Sequence, residues 1–224
     1  RNKPVFQNSY FSPAKLNLFL HILGKRADGY HELESLVYFT KFGDHITIRE
    51  SAHYQLSLGG PYADILARET SGTPNLVTRA VDMLAHMTGR SFAVHIDIEK
   101  HIPLGGGLGG GSSNAATVLK ALRDAYKLNV DLSVITSALG SDITAFLHAP
   151  QPVLMTGTGN EITPLPDNFL PRFHIIFENC GRPCPTAEVY QHFSGGVSRP
   201  LTLPDKFLSL DHLIEFLETQ TRND

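Results

Sequence analysis

The stretch PLGGGLGGGSSNAATVL, residues 103–119, places six glycines in seven positions and runs without a break into two serines and a helical pattern. A glycine held in one conformation loses more backbone entropy than any other residue. A run this dense in a folded chain therefore implies left-handed backbone angles or a ligand brought close to the main chain. A flexible linker is the competing use, but linkers are more often polar and join domains. This run follows a strand pattern, precedes a helix pattern and carries Leu104 and Leu108, which can pin it. The first turn of a helix presents unpaired N–H groups and about half a positive charge, so a phosphate is the favoured ligand. Ser112 and Ser113 can add hydroxyl donors to a phosphate or can cap the helix, and both uses are compatible with the pattern.

The surrounding chain mixes strands and helices. Runs at 16–23, 34–42, 45–50 and 53–58 read as short strands, with an Asp28-Gly29 turn after the first. Asn75 caps an expected helix whose stripe is Leu76, Ala80, Val81, Leu84 and Met87, stopped by Gly89. Residues 91–100 alternate, with Phe92, Val94, Ile96 and Ile98 on the buried side. After the glycines, Ala115, Val118, Leu119, Leu122 and Tyr126 form a helical stripe, and a shorter helix at 132–139 ends at Gly140. PVLMTG and RFHIIFEN predict further strands, and TAEVYQHF and LDHLIEFLET further helices. Without a regular βαβ alternation the expected class is α+β. The proline-rich ITPLPDNFLP, 162–171, marks the expected boundary between a domain at 1–165 and a second at 166–224.

Composition narrows the partners. With 224 residues, 42% of them hydrophobic, the chain can bury a sizeable core. Nineteen basic and 22 acidic residues, with no basic block, disfavour nucleic acid. No apolar run approaches membrane-spanning length and RNKPVFQNSYF lacks a signal-peptide core, so a cytoplasmic protein with no membrane partner is expected. Cys180 and Cys184 stand without a second pair, so no metal site is expected. A small molecule is the expected ligand.

Phosphate-binding motifs then compete. A Walker loop fails because Gly111-Ser112 stands where Lys-Ser belongs. The dinucleotide pattern is met by Gly105, Gly107 and Gly110, with Asp131 about twenty residues on, but so many glycines satisfy almost any such pattern.

The segment PLGGGLGGGSSNAA resembles the phosphate motif of the small-molecule kinases that include galactokinase, homoserine kinase and mevalonate kinase. Together with SPAKLNLFLHILGKRADGYHELES (12–35) and LGSDITAFL (139–147), it is similar to the kinases of 4-diphosphocytidyl-2-C-methyl-D-erythritol, in the same motif order. The resemblance implies the fold of that superfamily: an N-terminal domain like the second domain of ribosomal protein S5, followed by a ferredoxin-like domain. It implies ATP-dependent phosphorylation of the substrate's 2-hydroxyl, with magnesium. Asp142 is implied as general base and Lys15 as the cation that pairs with it and the acceptor hydroxyl. ATP would meet Pro103, Leu104, Gly105, Gly106, Gly107, Leu108, Gly109, Gly110, Gly111, Ser112 and Ser113, with Asn75 and Lys100 near the adenine. Tyr30 and Tyr190 would clamp the cytosine, His31 would meet its polar edge, and Asn17 and Thr186 would contact the acceptor part.

Read without the resemblance, Lys15 is an ordinary solvated lysine, Asp142 the cap of a short helix and Tyr190 part of a helix's core stripe. Family members continue beyond the ND at 223–224 with the rest of the second domain, so a trimmed chain is expected, with residues 166–224 only its beginning. A nucleotide-binding relative without catalysis and a kinase of another small alcohol are the alternatives.

Overall fold

A computed structural model describes residues 7–69, 74–178, 189, 193 and 196–224. The chain is α+β and divides into two contact units. The first holds residues 1–14, 40–104 and 108–147, the second 15–39, 105–107 and 148–224. The long strands β1 (Gln7–Lys25) and β2 (His31–Glu50) pair with each other and contribute residues to both.

In the first unit, period-two alternation sorts the sheet's faces. Strand β4 (Val94–Glu99) runs antiparallel to β2 and parallel to β3 (Gln55–Gly59). The register sets Ile46 opposite Ile98 and Ile48 opposite Ile96, with Leu56 and Leu58 beside the same two isoleucines. The intervening residues, Thr47, Arg49, His95, Asp97 and Ser57, take the other face, where Arg49 is 3.3 Å from Asp97. Between β3 and β4 come α1 (Ala63–Glu69) and α2 (Leu76–Thr88).

Helix α2 starts where the Asn75 side chain accepts from the Val77 amide at 2.9 Å and ends at Gly89. Its buried stripe is Val77, Ala80, Val81 and Leu84, whereas Met87 is exposed. Helices α3 (Gly110–Ala125), α4 (Leu132–Leu139) and α5 (Ser141–Phe146) follow, and α3 packs against α2 and α5. Ala115, Val118, Leu119 and Leu122 are buried on α3, as the stripe predicts. Each fully buried branched side chain contributes about 1.5–3 kcal/mol, so these stripes hold the unit together.

The runs 34–42 and 45–50 are one strand, not two. Gly43 is no turn: a Cβ there would lie 2.2 Å from the Ser12 carbonyl oxygen and 2.9 Å from Pro13 Cα. Only glycine lets the neighbouring main chain pass so closely, so the strand continues.

In the second unit, residues 33–37 of β2 pair antiparallel with β5 (Val153–Gly157), which pairs antiparallel with β6 (Glu161–Pro164). Thus β6 takes up the start of the proline-rich stretch. Phe19, Leu36, Phe169, Phe207 and Leu213 form the core, the last from α6 (Leu210–Gln220). Among residues 172–178 no strand forms, against expectation. A strand is stabilised by its ladder, and Ile176 is 96% exposed, while Phe173 packs onto the aromatic core as an isolated anchor. The expected helix at 186–193 lies outside the described residues, apart from Val189 and Phe193. No helix among the described residues is long and apolar enough to cross a membrane.

Candidate functional site

The glycine segment leaves β4 through Lys100, His101 and Ile102 and enters α3 at Gly110. Gly105, Gly107 and Gly109 take φ of 66°, 70° and 71°, left-handed angles that cost other residues roughly 1–2 kcal/mol each. Gly109 is the N-cap of α3 and has no side chain to bond, so neither Ser112 nor Ser113 caps the helix. Gly105, Gly106, Gly107 and Gly111 are exposed, and Pro103, Leu104, Leu108, Gly109, Gly110 and Ser112 are half-buried. This is a main-chain surface of N–H groups at a helix start, suited to an anion. Ser113 differs from its neighbour: its hydroxyl is buried and accepts from Ser12 Oγ at 2.8 Å.

A buried polar network lies under the segment, within the first unit. Asp44 Oδ1 accepts from the main-chain amides of His101 at 2.7 Å and Ile102 at 2.9 Å. Its Oδ2 accepts from Lys100 Nζ, and from Asn114 Nδ2 at 2.9 Å. Lys100 Nζ also donates to Asn114 Oδ1 at 3.0 Å, and Asn114 Nδ2 to Ser12 Oγ at 2.9 Å. Among the described residues no buried side-chain polar atom lacks a partner. Lys100, expected beside an adenine, is wholly buried, with its ammonium committed to Asp44 and Asn114. Burying a charge requires such pairing, so its place is beneath the loop and not on an exposed surface.

Asn75 and Asp142 stand at helix starts. The Asn75 carboxamide oxygen is used in capping α2, whose first residue lies by the first turn of α3: a Cβ on Gly111 would be 3.9 Å from Leu76 Cδ2. Asp142 is half-buried in the first turn of α5. The cap of that helix is Gly140, so Asp142 is not the N-cap.

The second unit holds Lys15, Asn17, Tyr30 and His31. Lys15 lies within β1 and is 5% exposed, not before the strand and solvated. Its Nζ donates to Asn17 Oδ1 at 2.9 Å; Asn17 Nδ2 donates to Ser35 Oγ at 2.7 Å, and Ser35 Oγ to the Phe19 carbonyl at 2.6 Å. This chain fixes Lys15 and Asn17 together. Tyr30 projects from the β1–β2 turn and is 67% exposed, leaving its ring open for stacking. Asp28 shapes that turn, accepting from the Tyr30 amide at 3.1 Å and from Arg26 Nε at 3.1 Å. Chiefly the Tyr30 amide bond, assisted by Arg26, holds the Asp28 carboxyl below its usual range. His31 is half-buried, with its ring 6.1 Å from that of Phe193 at 81°. Thr186, Tyr190, Cys180 and Cys184 lie outside the described residues.

Residues 75–149 match the family of the GHMP kinases N terminal domain, from the cap of α2 through the glycine segment to just beyond α5. A 4-diphosphocytidyl-2-C-methyl-D-erythritol kinase of Parvibaculum lavamentivorans is 42% identical over 184 residues, covering 81% of this chain and 61% of that protein. One of Jannaschia sp. is 39% identical over 214 residues, covering 96% of this chain and 72% of that protein. The chain belongs to the 4-diphosphocytidyl-2-C-methyl-D-erythritol kinase family. A crystal structure of 4-(cytidine 5'-diphospho)-2C-methyl-D-erythritol kinase superposes with a TM-score of 0.59 at 37% identity, covering 71% of this chain and 56% of that one. The GHMP kinase fold is thereby shared, and the chain spans about three fifths of the first relative's length.

In this family member, three residues that sequence reasoning missed join the glycine segment to the fold: Ser12, Asp44 and Asn114. Ser12 and Asn114 lie inside the motifs at 12–35 and 103–116, whereas Asp44 stands with Gly43 between two expected strands, where it reads as a turn residue.

Proposed function

We propose that the chain transfers the terminal phosphoryl group of ATP to the 2-hydroxyl of 4-diphosphocytidyl-2-C-methyl-D-erythritol. The observation that carries this reading is the glycine segment, with its left-handed glycines and exposed main chain at the start of α3, in a chain of this kinase family. ATP fits that surface as substrate: main-chain N–H groups of residues 105–111 and the Ser112 hydroxyl receive phosphate oxygens. Among the described residues no group of three or more His, Cys, Asp or Glu side chains could hold a metal. Magnesium, which ATP chemistry implies, would screen phosphate charge while held largely by the nucleotide itself.

Positioning and electrostatics supply most of the rate in phosphoryl transfer. Asp142 takes the proton of the acceptor hydroxyl, and the Lys15 ammonium, oriented by Asn17, favours the developing alkoxide. Tyr30 would stack on one face of the cytosine with Tyr190 on the other, His31 would meet its edge, and Asn17 and Thr186 would contact the acceptor part.

The test is turnover. With ATP, magnesium and 4-diphosphocytidyl-2-C-methyl-D-erythritol the protein should release ADP, and Asp142→Asn should lower kcat by about 10²–10⁴ while ATP binding persists. No ADP release from the unaltered protein would refute the reading. CMP or CDP should compete with the alcohol substrate, whereas a kinase of a small alcohol without a nucleotide part would be indifferent to them.

A further inference from the structure

We infer that Asp44 is a positioning residue for the nucleotide: through one carboxylate it ties His101 and Ile102, which follow β4, to Asn114 in the second turn of α3, and sets the span across which the glycine segment is strung. The inference rests on the nucleotide-binding reading above. Residues 103–109 carry four of the six glycines and have few side chains with which to hold their own course. What fixes them is the separation and direction of their two ends, Ile102 and Gly110.

Both ends are tied to the same group. On the strand side, Asp44 Oδ1 accepts from two successive main-chain amides, those of His101 and Ile102. On the helix side, Oδ2 accepts from Asn114 Nδ2. Lys100 fills the space between. Its ammonium reaches Asp44 and Asn114, and a Cβ on Gly110 would stand 3.1 Å from Nζ and 3.1 Å from Ile102 Cγ2. The first turn of α3 is thus seated on the ammonium, which accounts for glycine at a helical position where its backbone angles do not demand it. Ser12 of β1 closes the arrangement by bonding Asn114 and Ser113.

Stability alone does not call for this design. A buried ion pair is often replaceable by apolar residues of similar volume at no loss, because desolvation offsets much of the attraction. Hydrogen bonds in four directions from one carboxylate do what an apolar filling cannot: they fix distance and orientation together. A loop that must present its amides to phosphate oxygens profits from that, since misplacement by about 1 Å can cost around a hundredfold in rate.

The test uses the full chain with magnesium–ATP as the probe, comparing the unaltered protein with Asp44→Asn and Asn114→Ala at a temperature where each is folded by circular dichroism. Dissociation constants come from calorimetry and KM values from ADP release. The expected result is a rise of roughly tenfold or more in Kd and KM for ATP, a smaller fall in kcat, and an unchanged KM for the acceptor alcohol. A merely structural role would lower the melting temperature and the active fraction, reducing kcat at unchanged KM and Kd for ATP; that outcome overturns the inference. If Asp44→Asn does not fold, Asn114→Ala decides, because it removes the tie to α3 and leaves Asp44 and Lys100 together. An unaltered protein that binds no ATP overturns the nucleotide reading and this inference with it. An unaltered protein that binds, beside variants that bind equally well, overturns the inference alone.

Discussion

At the glycine segment the outward-facing residues are mostly glycines, and the side chains that hold them lie underneath, drawn from β1, β2, α3 and the residue that follows β4. At the β1–β2 turn the exposed side chain of Tyr30 is itself the proposed working group, and its support is Asp28, two residues away. One region is preorganised by contacts between residues as far apart in sequence as Ser12 and Asn114, the other by a local turn. The difference teaches where each is vulnerable. The first fails when a remote buried residue changes; the second fails only when its own few residues do.

The sharpest break of this contrast is Asp44→Ala. It leaves the Lys100 ammonium buried without its counter-ion and the His101 and Ile102 amides without their acceptor. Breaking a buried pair in this way costs about 3–5 kcal/mol, and urea denaturation should show the loss. Removing Asp28, by contrast, should leave the urea midpoint close to that of the parent, as surface changes away from buried networks do. An Asp44→Ala protein as stable as the parent would show that the two regions are held alike.

Tyr30→Ala inverts the pattern. With the ring 67% exposed, stability should hardly move, while affinity for a cytidine nucleotide should fall by about 1–3 kcal/mol, the usual worth of a base–aromatic stack. Calorimetric titration with CDP reads this directly. Unchanged affinity would remove Tyr30 from the site.

Within the glycine segment the comparison is finer. Gly107 has φ of 70° and nothing within 4 Å of a built Cβ, so Gly107→Ala carries backbone strain only, about 1–2 kcal/mol. Gly110 has no left-handed angle but faces Lys100 and Ile102 at 3.1 Å, so Gly110→Ala acts by crowding the ammonium below. Combined with Asn114→Ala, which loosens the same contact, Gly110→Ala should be non-additive in stability, whereas Gly107→Ala should add. Additivity for both pairs would separate the network from the helix start.

These cases also show what the sequence could disclose. Periodicity placed α2, β4, α3 and α4, because each is set by a repeating apolar pattern that its own residues carry. Alternation could not reveal that β2 continues through Gly43, since the reason is the close passage of Ser12 and Pro13, thirty residues earlier. The strand expected at 172–179 had the pattern, yet its described residues, 172–178, take no strand conformation. At the site, glycine density and the motif order were legible, and Lys15 and Asn17 do lie together. The burial of Lys100 and the roles of Asp44, Asn114 and Ser12 were not, because a buried polar network leaves no period in the sequence, only isolated polar letters that read as surface.

The smallest effect belongs to the turn and concerns pH. The Tyr30 amide bond above all, with the Arg26 interaction, lowers the Asp28 carboxyl in the folded chain, so the unfolded chain binds the proton more readily. The stabilisation is therefore complete above the ordinary aspartate value of about 3.9 and fades as pH falls through the lower folded-state value. Because the carboxyl is exposed, the global unfolding midpoint should scarcely register it. The local signature should be clear: the amide proton resonance of Tyr30 should titrate with a midpoint below that of an unstructured aspartate peptide, and Asp28→Asn should abolish that titration. A midpoint at or above the peptide value would mean that the turn is not held by this carboxylate, and that the ordering of Tyr30 has to come from residues outside the turn, as it does for the glycine segment.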